Sequence, residues 1–290
     1  MRIKWFSLVR IAGLVLVLLY HFYQNIFSGG FVGVDIFFTF SGFLITALLL
    51  DEFARSGEID LVGYLRRRFY RIFPPLVLMI LLVMPLTLLV RQDYVAGIGS
   101  QIMASLGFVT NLFEIISGGS YESQFIPHLF VHTWSLAVEV HYYLFWGLGL
   151  WWLSKHSKNK GAFRGSVFLL SSALFFVSFL AMFVSAFSAH EFSGIYFSSV
   201  THIFPFFLGS TLATITGVTD TAPLLSQLKQ KMSLKQTLTL AGASLFGLFL
   251  LTFFLKFTHI STYLVGFLLA SILTTTMILA ARLLHEKTKK

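Results

Sequence analysis

The chain has 290 residues, 56% of them hydrophobic and only 11% charged, with a formal net charge of +9 and no cysteine. Soluble domains carry about 25% charged residues, so this composition excludes a water-soluble globule; the missing thiols exclude disulfides, Cys-ligated metals and a thiol nucleophile. The positive balance does not call for nucleic acid, because Lys and Arg at the ends of apolar spans act as orientation signals.

The N-terminus opens with Arg2 and Lys4, as a secretory signal would. Arg10 interrupts the apolar run and no small-residue cleavage site follows, which reads as a retained signal anchor. Apolar runs of about 17–25 residues, the length a bilayer requires, fall near 8–27, 32–50, 73–90, 133–153, 166–187, 237–255 and 262–282, with a shorter one near 201–216. The stretch 95–116 is apolar but rich in Gly, Ser, Asn and Gln. Charge placement decides whether it crosses. With a cytoplasmic N-terminus and no crossing at 95–116, Arg91 and Lys256 are the sole exceptions among the 21 basic residues to an inside location. A crossing would invert every later loop and move the basic residues from Lys155 to Lys290 outside, Lys256 excepted, against the positive-inside rule. The expectation is an all-α polytopic bundle of eight spans in the cell membrane. Both termini are cytoplasmic, 1–290 forms one domain, and 91–132 is external or re-entrant. Trp5, Trp151 and Trp152 are candidate interface anchors, and Pro74-Pro75 falls at the start of the third span, where missing donors cost least.

Five groups of residues in this frame can carry chemistry. In the first span Arg10 and His21 are eleven positions apart, three helical turns, so they share one face about 16 Å apart along the axis. Ionisable side chains at membrane depth face a cavity or a partner; the plain alternatives are a positive flank for Arg10 and a satisfied buried histidine for His21. Glycines near 29–33 let the chain turn back tightly, and the short hairpin brings Asp35 toward His21, where a carboxylate fixes an imidazole tautomer for general-base work. Ser41-Gly42, further along, fits either the site or close helix packing. Arg66, Arg67, Arg68 and Arg71 exceed what orientation needs and suit a phosphorylated cytoplasmic donor, because the guanidinium fork gives two hydrogen bonds to one anion; a headgroup patch is the alternative. Trp134, Ser135 and Glu139 cluster where the fourth span begins. His128 and His132 have a metal-compatible spacing, but without a motif glutamate between them no metal is expected. His202, ahead of the short span, is a weaker candidate, and His141 faces away from His132.

These segments, R-x10-H, G-V-D-I-F-F-T-F-S-G-F-L-I, R-R-F-Y-R-I-F-P and W-S-L-A-V-E, occur in that order and resemble the acyltransferase-3 integral-membrane acyltransferases, most closely the membrane domain of Gram-positive peptidoglycan O-acetyltransferases. The resemblance implies transfer of acetyl from cytoplasmic acetyl-CoA, a substrate and not a bound cofactor, to hydroxyls of an extracytoplasmic glycan, with peptidoglycan muramic acid as the family-level acceptor. It implies that Arg10 and His21 are the residues most tied to activity. Arg67, Arg68 and Arg71 would serve the nucleotide end of the donor, and Asp35, Ser41 and Glu139 the motif positions of the second and fourth spans. His202 stands where relatives carry an arginine. Relatives also continue into a further membrane segment and, in the peptidoglycan enzymes, an external transferase domain, so the resemblance implies a chain incomplete at its C-terminus, with another chain or domain as a partner. His21, oriented by Asp35 or Glu139, would act as general base or take the acetyl group itself. A transporter or flippase with a polar path is the rival from another class, and an inactive remnant is the third reading.

Overall fold

The computed structural model describes residues 4–89, 97–118, 128–217 and 223–288. Arg2, Arg91, Lys289 and Lys290, which entered the charge count, lie outside the described residues. Helices account for the regular structure, with no strand among the described residues. They are α1 (Phe6–Phe22), α2 (Gly33–Ser56), α3 (Leu61–Leu86), α4 (Ile98–Leu106), α5 (Thr110–Ser117), α6 (Trp134–His156), α7 (Lys160–Ser188), α8 (Ser193–Phe197), α9 (Phe204–Thr216), α10 (Pro223–Lys231), α11 (Leu234–Phe254) and α12 (Phe267–Thr288), the last preceded by a π-type turn at Thr262–Gly266. Helices are the natural solution for apolar chain in lipid, because each satisfies its own backbone donors and acceptors.

Eight of these helices fall on the eight expected spans. Five stretches are long and apolar enough to cross a bilayer by themselves: 30–56, 61–86, 160–188, 234–254 and 262–288. Helices α1 and α9 are apolar but shorter, at 17 and 13 residues, and α6 has 23 residues but carries Glu139 and His141 along its length. The chain is a multi-pass membrane protein. The Trp5 indole lies 3.5 Å from the Thr288 hydroxyl, so the start of α1 and the end of α12 share one end of the bundle.

Helices α2 and α9 form the centre. A Cβ at Gly42 would collide with the Phe206 carbonyl and one at Gly209 with the Thr39 carbonyl, so both positions need glycine for this backbone approach. Gly42 therefore serves packing, whereas its neighbour Ser41 turns the other way, into the site described below.

Helix α3 differs from the sequence expectation. It begins at Leu61, capped by the Asp60 carboxylate accepting from the Gly63 N–H at 2.9 Å, so Pro74-Pro75 lie inside a continuous helix and not at its start. The arginine stretch is thereby helical. Among its apolar residues only Tyr64, Leu76 and Ile80 are buried; α3 stands off the bundle and leaves a gap against α1, α2 and α6.

Residues 97–118 form a hairpin that packs against α3 and α6. At nine and eight residues, α4 and α5 each rise only about 13 Å, too little to cross. Ile98 and Ile102 pack against the cluster of Leu76 and Ile80 of α3 and Phe130, and Glu114 pairs with His128 just ahead of α6. The tip residue Phe108 instead sits among Leu65, Arg68 and Phe69, near the other end of α3. Both ends of the hairpin thus lie at the same end of the bundle, the re-entrant alternative. Its polar side chains are used: the hydroxyls of Ser105 and Thr110 lie 2.9 and 2.8 Å from that of Thr133, and Asn111 Nδ2 donates to the Phe197 carbonyl at 3.1 Å and to Ser199 Oγ at 2.9 Å.

Candidate functional site

A cavity of about 640 Å³ fills the space between α1, α2, α3 and the start of α6. Its wall includes Arg10 and His21 from α1, Ser41 from α2, Arg68 and Arg71 from α3, and His132, Trp134, Ser135, Glu139 and Tyr143 from α6 and the turn before it. Three consecutive helices and a later segment meet in one chamber.

One half is basic and holds a single carboxylate. Arg10 lies 5.0 Å over the Phe40 ring and feels Arg71, Tyr143 and Glu139 electrostatically. Glu139 Oε1 accepts hydrogen bonds from Ser41 Oγ at 2.7 Å and from the Tyr143 hydroxyl. Tyr143 escaped the sequence reading, although it stands one helical turn from Glu139 on the same face, a spacing at which side chains meet. Arg68 Nε and Nη1 are buried with no hydrogen-bond partner, and its guanidinium lies 6.0 Å from the rings of both Tyr64 and Tyr143. Buried donors without acceptors cost free energy. Paired inside the cavity with an anion, they would not. Arg67 does not share this position: it points away from the cavity to Glu52 at 3.5 Å and Asp60 at 4.0 Å.

The other half holds two histidines. His21 Nδ1 is 2.8 Å from the Val17 carbonyl, an acceptor only, so Nδ1 carries the proton and the lone pair of the neutral ring is on Nε2. That is the tautomer a general base needs, fixed by the backbone of the same helix. His132 is exposed on the cavity wall; desolvation by the surrounding protein first, and the nearby His21 second, lower its pKa, which favours the neutral imidazole at neutral pH. Ser135 Oγ donates back to the His132 carbonyl at 3.3 Å.

Asp35 is not beside His21. Its side chain is fully buried, and Oδ1 lies 3.1 Å from His202 Nε2, whose other nitrogen is 2.8 Å from the Tyr196 carbonyl. The ring uses its Nδ1 proton on that carbonyl, so the Asp35 contact requires a second proton, on the ring or on the carboxyl. The expected hairpin pairing fails for a geometric reason: Asp35 faces α9, across the tight α2–α9 contact, and not α1. His202 is stacked behind Trp134, ring centroids 5.7 Å apart and planes 22° from parallel, so the pair braces the cavity wall from outside.

The remaining histidines separate as well. His128 pairs with Glu114 at 2.8 Å and shares no helical turn with His132. Among the described residues no group of three or more His, Cys, Asp or Glu could hold a metal ion. His141 bonds Ser199 Oγ at 2.9 Å and so belongs to the network holding the hairpin.

A family model described as an acyltransferase domain matches residues 3–289. O-acetyltransferase OatA of Staphylococcus aureus, from strains NCTC 8325 and COL alike, is 31% identical over 207 residues, which is 71% of this chain and 34% of the relative. SACOL0978 of strain COL, whose O-acetyltransferase name is itself provisional, is 32% identical over 200 residues, 68% of this chain and 32% of its own length. The chain therefore spans about a third of the length of these curated relatives. No solved structure matches it.

Proposed function

The chain belongs to the acyltransferase-3 family, and on that premise we propose that it is a membrane O-acetyltransferase taking acetyl from acetyl-CoA at its basic, cytoplasmic face. The acceptor is a hydroxyl on the opposite face, on an exported glycan such as the muramic acid of peptidoglycan or on a transferase domain that passes the group on. The observation that carries this reading is the single cavity joining Arg10, Arg68 and Arg71 at one end to His21 at the other.

Arg68 and Arg71 bind the donor's phosphates, the two buried N–H groups of Arg68 finding there the acceptors they lack. The pantetheine arm runs along α1 from Arg10 to His21, about 16 Å for eleven helical residues. His21 Nε2 takes the proton of the acceptor hydroxyl as its oxygen attacks the thioester carbonyl. The carbon–sulfur bond breaks, and the CoA thiolate leaves and collects the proton. Glu139, fixed by Ser41 and Tyr143, offsets the repulsion that Arg10 feels from Arg71. His132, neutral beside His21, lets the imidazolium form next to a dipole and not a second charge. Asp35 and His202 act at one remove, as positioning residues for Trp134.

The test is turnover of acetyl-labelled CoA by the protein in nanodiscs. The expected result is CoA release that His21→Ala abolishes without loss of CoA binding, and CoA binding that Arg68→Ala with Arg71→Ala weakens. A protein that moves a substrate across vesicles without consuming thioester would be a transporter. One that binds CoA normally without those arginines would have its donor site elsewhere.

A further inference from the structure

Behind Arg68 lies a second, smaller chamber of about 170 Å³, walled by apolar side chains from three elements: Leu65, Phe69 and Ile72 of α3, Phe108 at the tip of the hairpin, and Val140 and Leu144 of α6. Arg68, Ile72 and Tyr143 line both this chamber and the main cavity, so the two compartments meet at the guanidinium. Three features set it apart from a packing defect. Its wall belongs to a run of aromatic contacts: Phe69 and Phe73 stack with centroids 4.8 Å apart, and Phe73 meets Phe108 edge-on at 6.3 Å. Its far side is closed by a strained residue. Phe108 has φ +54°, the one non-glycine residue with positive φ among the described residues, and its backbone N–H donates to the Ser105 carbonyl at 3.1 Å. A non-glycine residue persists in that conformation where the surroundings enforce it. Finally, the junction carries a charge with two buried, unpartnered donors.

A cation at the junction, a cavity carrying polar and charged side chains on one side and an apolar chamber with aromatic side chains on the other match the three parts of a nucleotide-linked thioester. Resting on the donor assignment above, we infer that the small chamber is the subsite for the purine base of the donor, with the diphosphate at Arg68 and the pantetheine arm in the main cavity. Stacking of a base on aromatic side chains needs no sequence of polar contacts, which suits a chamber whose wall is almost wholly hydrocarbon. The tip of the hairpin then supplies one face of the slot. A lipid chain entering from the bilayer is the competing occupant.

The experiment compares two probes on the full chain in nanodiscs: acetyl-CoA, and a short probe, acetyl-CoA with hydrogen in place of the adenine, which keeps the arm, the diphosphate and the 3′-phosphoribose and lacks only the base. Wild type should bind acetyl-CoA at least about tenfold more tightly, within the range that base stacking supplies. Leu144→Trp, at a position already part exposed and so tolerant of a larger ring, fills the slot. It should bring acetyl-CoA down to the affinity of the short probe and leave the short probe unchanged. Phe108→Ala should narrow the difference in the same direction without adding bulk. Equal affinities in wild type, or a preference that survives Leu144→Trp, would overturn the subsite while the donor assignment stood; a lipid occupant gives this result. Failure of both probes to bind would overturn the donor assignment and the subsite together.

Discussion

Replacing Arg68 by Met should move stability and donor affinity in opposite directions. Methionine keeps the length of the side chain and removes the two buried N–H groups that have no acceptor. Each such group costs about 1–3 kcal/mol. The guanidinium recovers part of this from the Tyr64 and Tyr143 rings, both 6.0 Å away, at about 0.5–1 kcal/mol per ring. The balance leaves the unliganded protein more stable by about 2 kcal/mol after substitution. Donor binding should suffer instead: a charged hydrogen bond lost to phosphate is worth about 1.5–3 kcal/mol, or about 10–150-fold in Kd. The assay is thermal unfolding in nanodiscs with and without acetyl-CoA, alongside equilibrium binding. Wild type should gain more from the ligand than Arg68→Met, which should start from a higher Tm. A variant less stable than wild type that binds acetyl-CoA as tightly would refute the reasoning, since Arg68 would then be a structural residue whose donors are satisfied.

Arg67→Ala provides the contrast, because Arg67 is spent on exposed pairs with Glu52 and Asp60 worth about 0–1 kcal/mol; acetyl-CoA affinity should change by less than about threefold. Tyr143→Phe and Ser41→Ala each remove one donor to Glu139 Oε1, and each should lower turnover by about 10–150-fold, an effect of about 1.5–3 kcal/mol for a bond to a charged group, with a double variant that is less than additive in steady-state assays. The lowered pKa of His132 predicts a pH effect on stability. Its folded value lies below the ordinary 6.5, so below that pH the unfolded chain binds a proton that the folded chain refuses, and stability falls as pH drops. Unfolding temperatures at pH 7.5 and 5.5 should differ less in His132→Asn than in wild type.

The spans were legible because bilayer thickness sets a length that apolar runs must meet, and charge bias identified 95–116 as the stretch that does not cross. The start of α3 was not legible from hydropathy. Leu61 to Arg71 is helical but amphipathic and basic, and an apolar-run criterion reads such a segment as loop. In the site, Arg10 and His21 were readable from helical period alone, since both lie on one uninterrupted helix. Tyr143 went unread although the same helical period marks it, one turn from Glu139 within the H-Y-Y of α6. The partner of Asp35 was not. His202 lies 167 positions away, and only the α2–α9 contact permitted by Gly42 and Gly209 determines that they meet. The side chamber was equally hidden, because it needs the hairpin tip to arrive between α3 and α6. Local periodicity reports which residues share a face; it does not report which faces meet.

The measurement that bears most directly on a transfer path through one cavity uses proteoliposomes of known orientation, with acetyl-labelled CoA on the basic face and a soluble muramyl glycan on the other. Label should appear on the glycan while CoA stays on its own side, and His21→Ala should stop both label transfer and CoA release. Label appearing only on the side where acetyl-CoA was added, or transfer that persists without His21, would contradict the account.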